Sequence, residues 1–211
     1  MTRILRIDAS PRREQSWSRK LGDRLEQALV AGQPGSRVSR RDLAADPAGH
    51  IEADTITGFY SPLQPLPVSL QTATAQSDAI IAEVKAAETL LITTPIYNFT
   101  VPSVLKAWID QMVRIGHTFS HDGENFTGLL GGRTAHVAVS YGAAGFTGDG
   151  PLQAADFVIP YLRFLLRFLG FEDIQFYTLE GTSAGQEAAE AALRLADADI
   201  TRRFGSRREC A

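Results

Sequence analysis

The chain has 211 residues, 44% of them apolar, with 21 basic and 24 acidic side chains and a net charge of −3. This suffices for one compact core and reads as a single domain over residues 1–211. It lacks the positive excess that would hold a nucleic-acid backbone or an anionic membrane by charge, so neither is an expected partner. No run of eighteen apolar residues occurs, and Arg6 and Asp8 interrupt the start of the chain before a signal-peptide core could form. A cytoplasmic location is expected. The one cysteine, Cys210, has no partner for an internal disulfide, which fits a reducing compartment.

Residues 3–9, RILRIDA, place Ile4, Leu5 and Ile7 beside small Ala9 and suit a central strand. Polar residues 10–19 follow. From Ser18 the positions Leu21, Leu25, Ala28 and Leu29 recur at helical spacing until Gly32 ends the helix. Residues 36–43, SRVSRRDL, are charged enough for an edge strand. From Ala44 to Thr72 the prolines at 47, 62, 65 and 67 and the absence of a sustained period predict an excursion over the surface. A helix is predicted over 73–86, with Ala79, Ile80, Val84 and Ala87 as its stripe. Next comes an apolar run, Leu90, Leu91 and Ile92 with Thr93 and Thr94, that reads as a strand buried on both faces and stops at Pro95. Thr100 and Pro102 then open a helix carrying Val104, Leu105, Trp108, Ile109, Met112 and Val113 on one stripe.

Residues 116–133 contain five glycines and predict a long loop. TAHVAVS at 134–140 is another buried strand, followed by the turn YGAAGFTGDGP; Pro151 is expected to start a helix reaching Leu169. IQFYTL at 174–179 forms a last strand and 184–204 an Ala-rich final helix. This alternation implies an α/β fold, a five-stranded parallel sheet with helices on both faces, and leaves two doubly wound strand orders open.

Loops after the first, third and fourth buried strands share one rim of such a sheet. The first offers Ser10, Ser16 and Ser18 just before a helix, where hydroxyls and unpaired N–H groups suit a phosphate. It has neither a Gly-x-Gly-x-x-Gly fingerprint nor a Gly-Lys-Ser/Thr loop, which favours a bare monoester over a dinucleotide or triphosphate. Ile96, Tyr97, Asn98 and Phe99 combine flat surfaces with an amide that donates and accepts, as an aromatic heterocycle requires. Ser140, Tyr141, Gly142 and Ala143 let a backbone approach a ligand closely.

Ser10 with Ser16-Trp17-Ser18, Pro95 to Phe99 leading into Lys106-Ala107-Trp108-Ile109-Asp110, and Ser140-Tyr141-Gly142 resemble the FMN-dependent NADH:quinone oxidoreductase and azoreductase family. The resemblance implies a flavodoxin-like fold with strand order 2-1-3-4-5. It also implies a homodimer, one tightly bound FMN per subunit, and ping-pong transfer from NADH or NADPH to quinones or azo compounds. It places the phosphate at Ser10, Ser16, Trp17 and Ser18, and the flavin ring beside Ile96, Tyr97, Asn98, Phe99, Ser140, Tyr141, Gly142 and Ala143. No side chain need act as acid or base, because the flavin carries the reaction. Backbone donors near Gly142 and Ala143 are expected to stabilise charge developing over N1 and the C2 carbonyl, with Asn98 and Phe99 at the N5 and O4 edge. The segment 116–130 and the aromatic helix at 157–168 are expected to shape the substrate side, partly across the dimer. Ala143 and Ala144 stand where relatives often have glycine, and Trp17 is bulkier than usual there.

Three other readings compete. His117, His121, Asp122 and Glu124 could be taken for metal ligands, but Gly116 and Gly123 work against the helix that would align the two histidines. A hydrolase built from Ser10 or Ser140 with His117 and Asp110 lacks a Gly-x-Ser-x-Gly elbow. An FMN electron carrier would rely on a charged docking face, and the net charge is modest. The basic tail, Arg202, Arg203, Arg207 and Arg208, reads as a solvated terminus.

Overall fold

In the computed structural model, residues 1–61 and 65–209 are described, with side chains through residue 205; Pro62, Cys210 and the side chains of Arg207 and Arg208 lie outside them. Strand β1 (Arg3–Asp8) sets the layering, because alternate side chains leave a strand on opposite faces. Leu5, Ile7 and Ala9 enter one core and Ile4 the other, beside Arg6 and Asp8, which are also buried. The chain continues through α1 (Trp17–Gly32), β2 (Arg37–Asp42), α2 (Ala53–Tyr60), α3 (Val68–Ala86), β3 (Thr89–Pro95) and α4 (Ser103–Met112). A short hairpin, β4 (Phe119–His121) and β5 (Phe126–Gly128), precedes β6 (Thr134–Ser140), α5 (Val158–Phe168), β7 (Asp173–Leu179) and α6 (Gln186–Glu209).

The parallel sheet runs β2-β1-β3-β6-β7. Counting only its own five strands, this is the order 2-1-3-4-5. Helices α3, α4 and α5 cover the face of Leu5 and Ile7, whereas α1 and α6 cover the face of Ile4 through Leu21, Leu25, Leu29 and Ile200. Fully burying one such Leu or Ile contributes about 1.5–3 kcal/mol, so both layers are held mainly by apolar area. The chain leaves β1 towards β2 on one side and returns to β3 on the other. The rim at the carboxyl ends of β1 and β3 is therefore the switch point where open α/β sheets take ligands.

In three places the structure departs from what the sequence predicts. The excursion at 44–72 contains α2, and α3 starts at Val68, not at 73. These helices meet through small residues: a Cβ on Gly58 would lie 2.5 Å from Thr74 Cγ2. Such a contact leaves no apolar period to read. Residues 116–133 are not one loop but hold the β4–β5 hairpin, whose three-residue strands are too short for an alternation signal. Finally, α5 begins at Val158, not at Pro151. The Asp156 carboxylate accepts the N–H groups of Val158 (2.8 Å) and Ile159 (3.2 Å) and so sets the start, leaving residues 141–157 as a rim loop.

At Gly22, α1 comes close to the sheet. A Cβ there would sit 2.4 Å from Thr93 Cγ2 and 3.3 Å from the Arg6 guanidinium. Thr93 cannot turn away, because its hydroxyl donates to Asp8 at 2.6 Å. A helical Gly→Ala change gains about 1 kcal/mol of propensity, against an overpacking cost of about 1–3 kcal/mol. We expect Gly22→Ala to lose up to about 2 kcal/mol in urea unfolding on balance; a variant as stable as the parent would show that the helix can shift outward.

Candidate active site

The loop after β1 brings its serines out of solvent: Ser10 is 2%, Ser16 2% and Ser18 0% exposed. Ser16 caps α1, its Oγ accepting the Arg19 N–H at 3.3 Å and lying 3.1 Å from Ser18 Oγ. Ser10 Oγ accepts the Arg12 N–H at 3.3 Å. In the first turn of α1 the N–H groups of Trp17 and Ser18 have no carbonyl to bond within the helix, at the positive end of its dipole. The Lys20 ammonium lies 4.1 Å from the Trp17 ring. Arg19 fixes the loop to the sheet edge, donating to the Ser10 carbonyl (2.6 and 3.1 Å) and to both Asp42 carboxylate oxygens (2.6 and 2.8 Å).

The Arg19 hydrogen bonds hold the Asp42 carboxyl below its ordinary value of 3.8, against the opposing effect of burial and with help from the Ala44 N–H. A carboxyl whose folded value is depressed stabilises the fold above its unfolded value, and that stabilisation is lost as pH falls through the folded one. The Arg19–Asp42 tie should therefore be intact at neutral pH and weaken below about pH 4. We expect Asp42→Asn to flatten the acid limb of an unfolding profile; an unchanged limb would assign it to other carboxylates.

Beneath this loop lies a charged network. Arg6, 3% exposed, donates to Asp8 (3.0 Å), Asp23 (2.6 Å), Glu26 (3.1 Å) and the Arg19 carbonyl (3.2 Å). Burial works to lower its pKa, but Asp8 and Asp23 outweigh that and raise it. Arg40 joins from β2 by pairing with Glu26.

After β3 the chain reverses in two residues. Tyr97 and Thr100 exchange backbone hydrogen bonds at 2.9 and 3.1 Å, with Asn98 at φ 46° and Phe99 at φ 72° between them. This is the backbone of a type I′ turn, which suits Asn at the first central position and Gly at the second. Phenylalanine in the left-handed region costs about 1–2 kcal/mol, and non-glycine outliers of this kind cluster at ligand sites. Tyr97 and Phe99 are 40% and 51% exposed, so burial does not compensate. Ile96 donates to the Ser140 carbonyl at 2.9 Å, joining this turn to β6, and the Phe99 carbonyl accepts the Phe157 N–H at 3.0 Å. That leaves the Asn98 side chain and the N–H groups of Asn98 and Phe99 without a partner among the described residues.

The loop after β6 is held from below. Its carbonyls are used: Tyr141 accepts from the Thr182 N–H (3.1 Å), Gly142 from Ser183 (2.9 Å) and Ala143 from Gly181 (3.2 Å). The N–H groups of Gly142, Ala143 and Ala144 have no partner among the described residues. Gly142 packs closely on the same segment: a Cβ there would sit 2.9 Å from Ser183 Oγ, so a larger residue would require that hydroxyl to turn away. Tyr141 differs from its neighbours: the ring is fully buried against Phe146 (4.9 Å) and the hydroxyl donates to Asp156 at 3.0 Å. Burial, with Asp156 second, pushes its pKa far up, so it stays protonated. Its N–H donates to Leu179 at 2.8 Å, so Tyr141 supports the rim from beneath it. Ser140, 6% exposed, ends β6 opposite Pro95. Asp156, Arg19 and Glu180, whose carboxylate binds this loop, carried no motif in the sequence; only the fold brings them to the rim.

His117 lies elsewhere. Helix α4 starts at the rim and runs back, so the turn at 114–118 and the hairpin sit towards the amino ends of the strands, where Leu130 bonds to Leu169 (2.9 Å) and Thr134 to Glu88 (3.1 Å). His117 is thus separated from Ser10 and Ser140 by the height of the sheet, and Asp110 pairs with Lys106 at 2.5 Å, so the hydrolase triad does not assemble. Burial, then Arg114 and Lys85, lower the His117 pKa. His121 packs against Phe126 with ring centroids 4.4 Å apart and tilted by 36°, and Asp122 accepts the N–H groups of Glu124 and Asn125 at 3.0 and 2.8 Å. No group of three metal-ligating side chains occurs among the described residues. Of the basic tail, Arg202 and Arg203 pair with Asp199.

A parallel 2-1-3-4-5 sheet with its donors gathered at the switch point defines the flavodoxin-like class, and the family profile described as "Flavodoxin-like fold" matches residues 2–204. Among curated proteins the chain is 51% identical to the FMN-dependent NADH:quinone oxidoreductase of Xanthobacter autotrophicus, over 83% of this chain and 84% of the relative. It is 39% identical to FMN-dependent NADH:quinone oxidoreductase 1 of Pseudomonas fluorescens, over 93% and 98%. The chain belongs to the family of these oxidoreductases. Among solved structures it matches an azoreductase from Bacillus anthracis with a TM-score of 0.86, covering 98% of this chain and 100% of that one at 23% identity, a likeness of fold.

Proposed function

We propose that this chain is an FMN-dependent oxidoreductase that carries two electrons from NADH to a quinone or an azo compound. The observation that carries this reading is the strained Asn98-Phe99 turn, an exposed aromatic kept in a glycine conformation beside two sets of free backbone donors. The residues fit the cofactor named by the relatives. Buried Ser10, Ser16 and Ser18, with the first-turn N–H groups of Trp17 and Ser18, suit a phosphate monoester at a helix start. Ile96 to Phe99 and the N–H groups of Gly142 to Ala144 suit a flat heterocycle with a polar edge. FMN would supply the redox chemistry, accepting two electrons from NADH and giving them to the acceptor, so that NADH, a proton and a quinone become NAD⁺ and a hydroquinone. The chain's own part is to orient donors towards the edge that gains negative charge and to keep them fixed while it does.

The reading extends to a homodimer and a single cytoplasmic domain. No helix among the described residues is long and apolar enough to cross a membrane. Phe119, Phe126, Phe164 and Phe168 form a contiguous aromatic cluster, with Phe126 61% and Phe164 69% exposed. That cluster lies towards the far end of the sheet from this chain's own serines. It can wall a substrate only at the rim of a second subunit, and sedimentation should return a dimer.

Phe99→Gly tests the carrying observation, because it relieves the strain and removes the ring. We expect stability to rise by about 1 kcal/mol and FMN to bind at least tenfold more weakly. A variant with unchanged affinity would place the flavin elsewhere.

A further inference from the structure

We propose that Glu180 is a positioning residue for the flavin-facing loop, fixing the downstream end of the donor segment 142–144 by binding the next three backbone N–H groups. This rests on the reading of the site as an FMN site. Glu180 follows β7 directly, and its carboxylate accepts the N–H groups of Gly145 (3.3 Å), Phe146 (2.7 Å) and Thr147 (2.8 Å). Successive N–H groups converging on one anion form a nest, and charge-assisted bonds of this kind are roughly twice as strong as neutral ones. The nest lies between Gly145 at φ 94° and Gly148 at φ 62°, two turns open to glycine without strain. A loop so rich in glycine has little rigidity of its own.

What Glu180 does follows from the order of bonds along the loop. At 141–143 the carbonyls are drawn down by the N–H groups of residues 181–183, and at 145–147 the N–H groups are drawn down by the carboxylate. Because the carbonyl and the next N–H of a trans peptide point opposite ways, drawing the carbonyls of 141–143 down turns the N–H groups of Gly142, Ala143 and Ala144 towards the rim, and the chain inverts only after them, where the carboxylate takes the N–H groups of 145–147. Without the second anchor the N–H groups of 145–147 lose their acceptor, and the donor segment before them loses its fixed downstream end. A neutral amide at position 180 keeps one carbonyl oxygen but turns an NH₂ towards N–H donors, so it cannot satisfy all three. The Asp156 contacts to Tyr141, Val158 and Ile159 fix the far end of the same loop and would be untouched.

The test uses apo wild type, Glu180→Gln and Glu180→Asp, with two readouts: amide hydrogen exchange across 142–147 without flavin, and FMN titration by quenching of flavin fluorescence. We expect Glu180→Gln to exchange at least tenfold faster at 145–147, with β6 and β7 amides unchanged, and to bind FMN about tenfold more weakly, a loss comparable to one charge-assisted hydrogen bond. Glu180→Asp, which keeps the charge on a shorter arm, should fall between and serves as the folded comparison should Glu180→Gln not fold. Unchanged exchange, or faster exchange with unchanged FMN affinity, overturns the role of Glu180 alone. A wild type that takes up no FMN overturns the reading of the whole site, and this role with it.

Discussion

Arg6→Met should destabilise the protein by about 3–5 kcal/mol, the range for removing one partner of a buried ion pair. The side chains of Arg6 and Asp8 are 4% and 7% exposed. Without the guanidinium, Asp8 retains the Thr93 hydroxyl at 2.6 Å but no opposing charge. The outer carboxylates matter less, since Asp23 is 57% exposed at its side chain and can rehydrate. Removing both buried charges avoids the orphan, so Arg6→Met with Asp8→Leu should recover much of the loss in urea unfolding. A single variant as stable as the parent, or a double variant additive in its losses, would contradict this. A charged network in place of an apolar core is explained by its position, because Arg6 holds the Arg19 carbonyl while Arg19 holds the Ser10 carbonyl. We expect the rescued double variant to fold and still bind FMN more weakly, which a purely structural network would not cause.

The second large effect concerns the serines. Hydrogen bonds to a charged group contribute about 1.5–3 kcal/mol each, so Ser18→Ala should weaken FMN binding roughly 10- to 100-fold. Ser18 does not cap the helix, and its main contact is the Ser16 hydroxyl at 3.1 Å, so stability should change little. Ser16→Ala should show a similar loss of affinity together with about 1 kcal/mol of stability, the usual value of an N-cap. Isothermal titration with FMN and urea unfolding separate the two. Equal affinities for Ser18→Ala and the parent would remove the phosphate from this loop.

The parts of the fold that bury apolar side chains at a regular period were legible in the sequence. Leu90, Leu91 and Ile92 announce β3, and Leu21, Leu25 and Leu29 announce α1. Where helices meet through Gly58 and Thr74, or a hairpin is three residues per strand, packing leaves no period, and α2, β4 and β5 went unread. The rim shows the same division. Serines before a helix and an Asn-Phe pair between a strand and a helix are local patterns that sequence displays. That Phe99 sits at φ 72°, that Tyr141 faces inward, and that Asp156 and Glu180 reach the loop are consequences of long-range placement. A carboxylate that follows a strand by one residue has no signature until its partners 33–35 positions earlier are folded beside it.

One measurement tests the central claim most directly: an absorbance spectrum of the purified protein reconstituted with FMN, followed anaerobically by stopped-flow addition of NADH and then of a quinone. The account requires one FMN per chain, bleaching of the flavin band by NADH, and its return when quinone is added. A protein that takes up no FMN would contradict the account, and so would one whose bound flavin is not bleached by NADH.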